Sequence, residues 1–349
     1  MAEFFLEIGS EELPSGYVQP ALDYMNKELS SFFSKNRIEA ETPKTMGTPR
    51  RLIVSVKGVM AMQKDSVDEF LGPGISVAYD DQGQPTKAAT GFARGKGIDV
   101  SELTRKQTPK GEVICARIAN KGRATSSLLN EFLPQFINEI PFPKKMRWQN
   151  KSRPFARPLH WITALFEGQA LQFEFDGISS DAISRGHRFL DSENFQVKDL
   201  ESYLTECEKH FLVVDPVIRK KTILDQVLQL AEKAGGHIKE DEELLNLVNF
   251  IVEFPVAIKG NFDSSFLELP QELLVITMKY HQKYFPVWDK EEKLLPCFIT
   301  VSNMPASEGN EIQKGNERVL RARLEDARFF YDEDRKKKIE DFVEPLKGV

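Results

Sequence analysis

Cysteine is scarce in this chain. Its 349 residues include three, Cys115, Cys207 and Cys297, odd in number and far apart. That usage argues against a disulfide framework, and no Cys-x-x-Cys pair or Cys/His cluster offers a structural zinc site. No apolar run reaches the roughly 20 residues that span a bilayer. The opening Met1-Ala-Glu-Phe-Phe-Leu-Glu7 has neither the basic segment nor the cleavage site of a secretory leader. The expectation is a cytoplasmic protein with no metal site and no membrane association.

Catalytic signatures are missing too. Gly91, Gly95 and Gly97 lack the spacing of a phosphate-binding loop and do not follow a strand. A turn entering a short helix is expected there. His187, in Ser184-Arg-Gly-His-Arg-Phe189, has Asp191 nearby in sequence, but no Ser or Cys sits in a nucleophile-elbow motif. His281, in Met278-Lys-Tyr-His-Gln-Lys-Tyr-Phe285, has no second histidine or cysteine at metal-binding spacing. No catalytic residue is assigned.

Acidic residues vanish from one stretch. The net charge is −6, which argues against a generally sticky nucleic-acid binder. Yet no Asp or Glu occurs between Glu139 and Glu167, where Lys144, Lys145, Arg147, Lys151, Arg153 and Arg157 all fall. A basic island on an acidic body confines a phosphate partner to one face. Aromatic residues interleave with it. Trp148, Phe155 and Trp161 are either planes for unpaired bases or core anchors beneath solvated charges. Arg153 and Arg157 each precede proline, which favours extended backbone and presentation from a loop. These six, with Arg188, are the candidate RNA contacts.

With 41% hydrophobic and 29% charged residues, the chain has the composition of an ordinary globular protein large enough for two or three cores. Strands are predicted over residues 4–8, 51–57, 112–118, 160–166 and 170–175, the last two joined by a hairpin at Glu167-Gly-Gln. Helices are predicted after Pro14, with Val18, Leu22, Met25, Leu29 and Phe32 on one face, and over 125–140. A second block reads as helix 197–210, strand 211–214, helix 216–234 stopped at Gly235-Gly236, helix 241–251 and a helix near 270–281. A hairpin from 284 to 301 follows. Near the end, Leu320, Leu324, Ala327 and Tyr331 line one face of a charged helix, with Arg321/Glu325 and Arg328/Asp332 four apart. The rhythm is not βαβ. The expected class is a multidomain α+β fold, with antiparallel sheets and packed helices, ending in the start of a helical domain. The expected divisions are 1–190, 191–310 and 311–349.

An ordered set of segments goes further. Phe5-Leu-Glu-Ile-Gly-Ser-Glu-Glu-Leu-Pro14, Thr48-Pro-Arg-Arg-Leu52, Thr86 to Arg94, Met146-Arg-Trp148, Arg157-Pro-Leu-His-Trp161 and Gly186-His-Arg-Phe189 follow one another. Val252-Glu-Phe-Pro-Val256, Phe266-Leu-Glu-Leu-Pro270, Met278 to Phe285 and Gly315 to Tyr331 complete the series. Together they resemble the bacterial glycyl-tRNA synthetase beta subunit. Gln149, where glycine is expected, and Phe254, where tryptophan is common, depart from its pattern.

The resemblance implies an α2β2 ligase. Its alpha subunit carries the site for ATP, with Mg, and glycine; the beta subunit binds tRNA(Gly). Beta subunits of this kind are about twice as long, continuing into an HD-type helical domain and an anticodon-binding domain, so this chain is expected to be an amino-terminal half. No synthetase catalytic string occurs in it, which favours a non-catalytic binding role. An aminoacyl-tRNA editing module, or a scaffold for the alpha subunit without RNA contact, are the alternatives.

Overall fold

The computed structural model describes residues 2–148, 153–305, 310–336 and 338–343. The chain opens with β1 (Ala2–Ser10) and α1 (Ser15–Lys35), followed by β2 (Lys44–Thr48) and β3 (Arg51–Val59). An excursion then forms β4 (Ser66–Gly74), α2 (Ile75–Ala78), α3 (Lys87–Lys96), β5 (Thr104–Thr108) and β6 (Gly111–Asn120). The main body resumes with α4 (Thr125–Glu139), β7 (Leu159–Phe166), β8 (Gln169–Ala170), β9 (Glu174–Phe175) and β10 (Ile178–Asp181). A small β11 (Ile183–Arg185) and β12 (Asn194–Gln196) lead to α5 (Leu200–Lys209).

The main sheet runs β2-β3-β1-β7-β10-β9, with β8 paired to β7. Neighbours are antiparallel except β7 and β10. Its central strands are buried on both sides, which explains their near-continuous hydrophobicity. Phe4, Leu6 and Ile8 of β1 pack with α1 and α4 on one face. Phe5, Ile53 and Leu165 face the opposite side, where Phe195, Leu200, Tyr203 and Cys207 cover them. Helix α1 buries Val18, Leu22, Met25, Leu29 and Phe32, the stripe its sequence predicts. The hairpin between β7 and β8 turns on Glu167 and Gly168, both at positive φ, which matches the right-handed strand twist.

The second core crosses the expected boundary at 190/191. A sheet face carrying Phe5, Ile53 and Leu165 needs a cover, and β12 and α5 supply it from beyond that position. Residues 211–214 differ from the expected strand as well. Phe211 turns at φ 57 to close α5, while Leu212 and Val214 fill the same core. Val213 N–H bonds to the Glu253 carbonyl rather than entering a ladder.

Beyond this body lie α6 (Pro216–Lys233), α7 (Glu242–Asn249), β13 (Val256–Asn261), α8 (Gln271–Ile276), β14 (Phe285–Trp288), β15 (Leu294–Ser302) and α9 (Glu311–Arg335). The sheet order is β13-β15-β14. Helices α6 and α7 pack on one side of it. On the other, Leu320 and Leu324 of α9 are fully buried against Phe262, Phe266, Met278 and Phe298. Helix α9, expected to open a separate domain, is thereby seated on this second sheet. Gly235 ends α6 at φ 80, as the Gly-Gly pair predicts. The fold is a multidomain α+β architecture, as expected.

Candidate nucleic-acid interface

The acid-free segment is the connection from α4 back to β7. A two-hydrogen-bond bridge closes its base: Met146 N–H donates to Phe155 O at 3.0 Å, and Phe155 N–H to Met146 O at 3.1 Å. Lys144 and Arg147 project into solvent, and neither has an ion-pair partner among the described residues. Three further cations are pinned by backbone carbonyls. Lys145 Nζ donates to Asn138 O at 2.7 Å, and burial lowers its pKa while Glu139 opposes that shift. Arg153 Nη1 donates to Pro134 O at 3.2 Å, with its guanidinium 5.2 Å from the Phe175 ring. Arg157 Nε donates to Glu12 O at 3.1 Å. Lys151 lies outside the described residues.

The aromatics divide. Phe155 and Trp161 are core residues, 2% and 6% exposed. Trp148 stays half-buried, its indole N–H held by Phe155 O at 3.1 Å. The sequence left both uses open for all three rings; packing assigns Phe155 and Trp161 to the interior.

A second cluster of cations forms where β1, β3 and β7 end. Trp161 lies across Gly9 of the neighbouring strand, so closely that a Cβ on Gly9 would sit 2.0 Å from the indole. Around the ring, the guanidiniums of Arg50, Arg51 and Arg185 lie 5.9, 5.0 and 5.1 Å from its centroid. Arg185 and Arg188 are exposed, and Arg50 is half-buried. Arg188 Nη1 donates to Glu11 Oε2 at 2.8 Å, while Glu11 Oε1 meets His160 Nε2 at 2.9 Å. Burial alone would raise the Glu11 pKa, but the His160 hydrogen bond and the charge of Arg188 hold it below the usual value.

Beneath this surface is a buried ionic network. Arg51, fully enclosed, donates from Nε to Glu253 Oε1 and from Nη1 to Glu7 Oε1, both at 2.9 Å, and from Nη2 to Gly186 O at 2.9 Å. Tyr203 donates its hydroxyl to Glu7 at 2.9 Å, and Thr48 donates to Glu253 at 2.6 Å. Burial disfavours the Arg51 charge, yet Glu253 and Glu7 outweigh that and raise its pKa. Burial likewise raises Glu253, but Arg51, Thr48 and Arg50 bring its carboxyl below the ordinary value. The network fixes the floor on which the exposed arginines stand.

His187 is buried and faces backbone. Its Nδ1 accepts from the N–H groups of Phe189 and Leu190 at 3.4 and 3.3 Å, and burial pushes its pKa down, which keeps the ring neutral. Asp191, its neighbour in sequence, pairs instead with His210 Nδ1 at 2.8 Å. Phe189 is 66% exposed beside Arg188.

Segments 9–13, 48–52, 157–161, 184–189 and 252–256, scattered through the sequence, thus meet at one end of the main sheet. Arg188 was among the candidate contacts; Arg50 and Arg185 were not, although both stand in or beside the segments that carry the resemblance. Residues 4–349 match the family model described as glycyl-tRNA synthetase beta subunit. The chain belongs to this family. It is 48% identical over 348 residues to the glycine–tRNA ligase beta subunit of Syntrophotalea carbinolica, covering 100% of this chain and 51% of that protein. With the beta subunit of Citrifermentans bemidjiense identity is 49% over 347 residues, 99% of this chain and 50% of the relative. With that of Geobacter metallireducens it is 47% over 349 residues, 100% and 51%. The chain spans about half the length of these curated relatives. The match of this beta-subunit family includes the excursion over β4–β6 and the basic connection alike. No helix among the described residues is long and apolar enough to cross a membrane, and no group of three His, Cys, Asp or Glu residues there is placed to hold a metal.

Proposed function

We propose that this chain is a tRNA-holding part of a glycine–tRNA ligase beta subunit, acting in the cytoplasm within an α2β2 assembly. The alpha subunit uses ATP and Mg2+ to attach glycine to tRNA(Gly); the residues described here grip the RNA. The reading rests above all on Lys144 and Arg147, exposed cations without ion-pair partners among the described residues, on a segment free of acids in an otherwise acidic chain. Such charges hold phosphates by displacing counterions.

The test is the double variant Lys144→Ala/Arg147→Ala in the full-length beta subunit with alpha present. If both contact phosphates, the dependence of log K on log salt becomes shallower by about 1.5 to 2. The fold should be unaffected, since exposed charges usually contribute within about 0.5 kcal/mol. An unchanged slope would sink the reading. An unchanged slope combined with weaker α–β association would favour the scaffold alternative instead.

A further inference from the structure

The connection between β11 and β12 carries an aromatic ring that folding leaves in water. Phe189 is 66% exposed, yet the loop that holds it is tightly built. Gly186 lets the chain double back, since a Cβ there would lie 2.0 Å from Asp191 O. Buried His187 accepts from the N–H groups of Phe189 and Leu190, and Asp191 N–H donates to His187 O at 3.0 Å. Two ties run to the end of α5: His187 N–H donates to His210 O at 3.1 Å, and the Asp191 carboxylate meets the His210 ring. Burial keeps the His187 ring neutral, and so an acceptor for those amides. The backbone under Phe189 is therefore set before any partner arrives, which lowers the ordering cost of binding.

Cations surround this loop. The Arg188 guanidinium lies 5.4 Å from the Phe189 centroid and donates to Glu11 at 2.8 Å. Glu11 is shared with His160. Arg185 Nη2 donates to His160 O at 3.3 Å, and no carboxylate pairs with Arg185 among the described residues. Half-buried Arg50, beside Trp161, has an Nε that is enclosed and without a hydrogen-bond partner among the described residues. Burial, Arg51 and Arg188 together lower the Arg50 pKa against the opposing charges of Glu253 and Glu11, so positive charge there is only partly met.

An unpaired nucleotide supplies what this surface lacks: a π-face for the ring and a phosphate for the arginines. A base paired within a helix keeps its stacking neighbours and has no free face for Phe189. An apolar side chain of a partner protein would cover the ring, but its surroundings would have to bring carboxylates to the arginines or enclose those charges unpaired, which is costly.

We propose that the β11–β12 loop is a stacking site for one unpaired nucleotide of the bound tRNA, its base on the exposed side of Phe189 and its phosphate met by Arg185 and Arg188. The site rests on the tRNA-holding reading above and adds a contact at the sheet end that takes a base as well as a phosphate.

The test uses Phe189→Ala, Phe189→Leu and Phe189→Trp in the full-length beta subunit with alpha. Phe189→Ala should weaken tRNA binding about tenfold, and Phe189→Leu nearly as much, because leucine is apolar but has no ring. Phe189→Trp should keep the affinity. All three should leave the salt slope unchanged, since the ring displaces no counterion, whereas Arg185→Ala/Arg188→Ala should make it shallower by about 0.7 for one single-strand phosphate. A set of tRNA(Gly) transcripts, each abasic at one unpaired nucleotide, locates the base. One position or two adjacent ones should bind the unaltered protein about tenfold more weakly, and Phe189→Ala should abolish that penalty. An unchanged thermal transition, expected for so exposed a side chain, verifies that each variant is folded. The abasic series on the unaltered protein needs no variant.

Full tRNA affinity in Phe189→Ala would overturn the proposal. So would full affinity in Phe189→Leu, which would make the ring an apolar contact without stacking, or indifference of the unaltered protein to every abasic site. Weaker α–β association of Phe189→Ala in sedimentation, with tRNA affinity intact, would assign the ring to a protein partner and likewise overturn it. The salt slope separates the two levels. A slope reduced by Lys144→Ala/Arg147→Ala alongside full affinity in Phe189→Ala removes the stacking site and leaves the tRNA-holding role standing.

Discussion

Single residues carry unequal weight around this site, and burial explains which. Phe155→Ala should destabilise the protein by about 3–5 kcal/mol, because it empties a core position under the basic connection. A urea melt would check this, and a loss below about 1 kcal/mol would mean that the ring is not an anchor. Arg51→Met should cost about 3–5 kcal/mol, since Glu7 and Glu253 would remain buried without their cation. The paired carboxylate also has a pH signature. The Glu253 pKa is lower in the folded chain than its ordinary value of 4.5. Its stabilisation is therefore complete above about pH 4.5 and is lost as pH falls toward the folded value. Glu253→Gln should lower stability at neutral pH and reduce the further loss on acidification below about pH 4.5. Equal acid sensitivity in the two proteins, measured by denaturant melts as the pH is lowered, would count against the assignment.

At the level of elements, the covering of the main sheet's second face is the decisive event. A fragment ending at residue 190 would leave Phe5, Met46, Ile53 and Leu165 without α5 and β12. It is expected to bind a hydrophobic dye and to lack a sharp thermal transition, whereas the intact chain melts cooperatively. A well-folded 1–190 fragment would show that α5 only decorates the sheet. Links also run onward from this body. Arg219 of α6 donates to Gly47 O in β2 at 2.8 Å and to Asn249 O at the end of α7 at 2.8 Å, while Glu253 reaches Arg51. Burial lowers the Arg219 pKa to about 10, leaving it charged at neutral pH and dependent on those carbonyls.

On the scale of the whole molecule, two groups of surface cations stand on a body of net charge −6. Lys144 and Arg147 project from the basic connection, and Arg185 and Arg188 stand at the sheet end. His160, at the start of β7 where the basic connection ends, joins Arg188 through Glu11. If one RNA follows both groups, Arg185→Ala/Arg188→Ala should flatten the salt dependence further when added to Lys144→Ala/Arg147→Ala, with roughly additive slope changes. Full-length enzyme titrated over a salt series would measure it. A quadruple variant no flatter than the loop double variant would confine RNA to the basic connection.

Much was decided by sequence alone. The apolar stripe of α1, the Gly-Gly stop after α6 and the Glu167-Gly hairpin follow from local periodicity and backbone freedom, so they were legible without partners. The acid-free run was equally plain, because charge composition is a property of sequence. Tertiary structure decided the rest. Residues 211–214 have strand-like composition, yet Glu253 and the core under α5 claim them. Asp191 neighbours His187 in sequence but pairs with His210. Trp148, Phe155 and Trp161 look alike as aromatic residues among cations, and only packing buries two and leaves Trp148 half-buried. Arg50 and Arg51 are adjacent, yet the second is enclosed between two carboxylates while the first reaches the surface cluster. Side-chain periodicity can suggest which face of an element is apolar; which long-range partner meets that face depends on the packing of the whole chain.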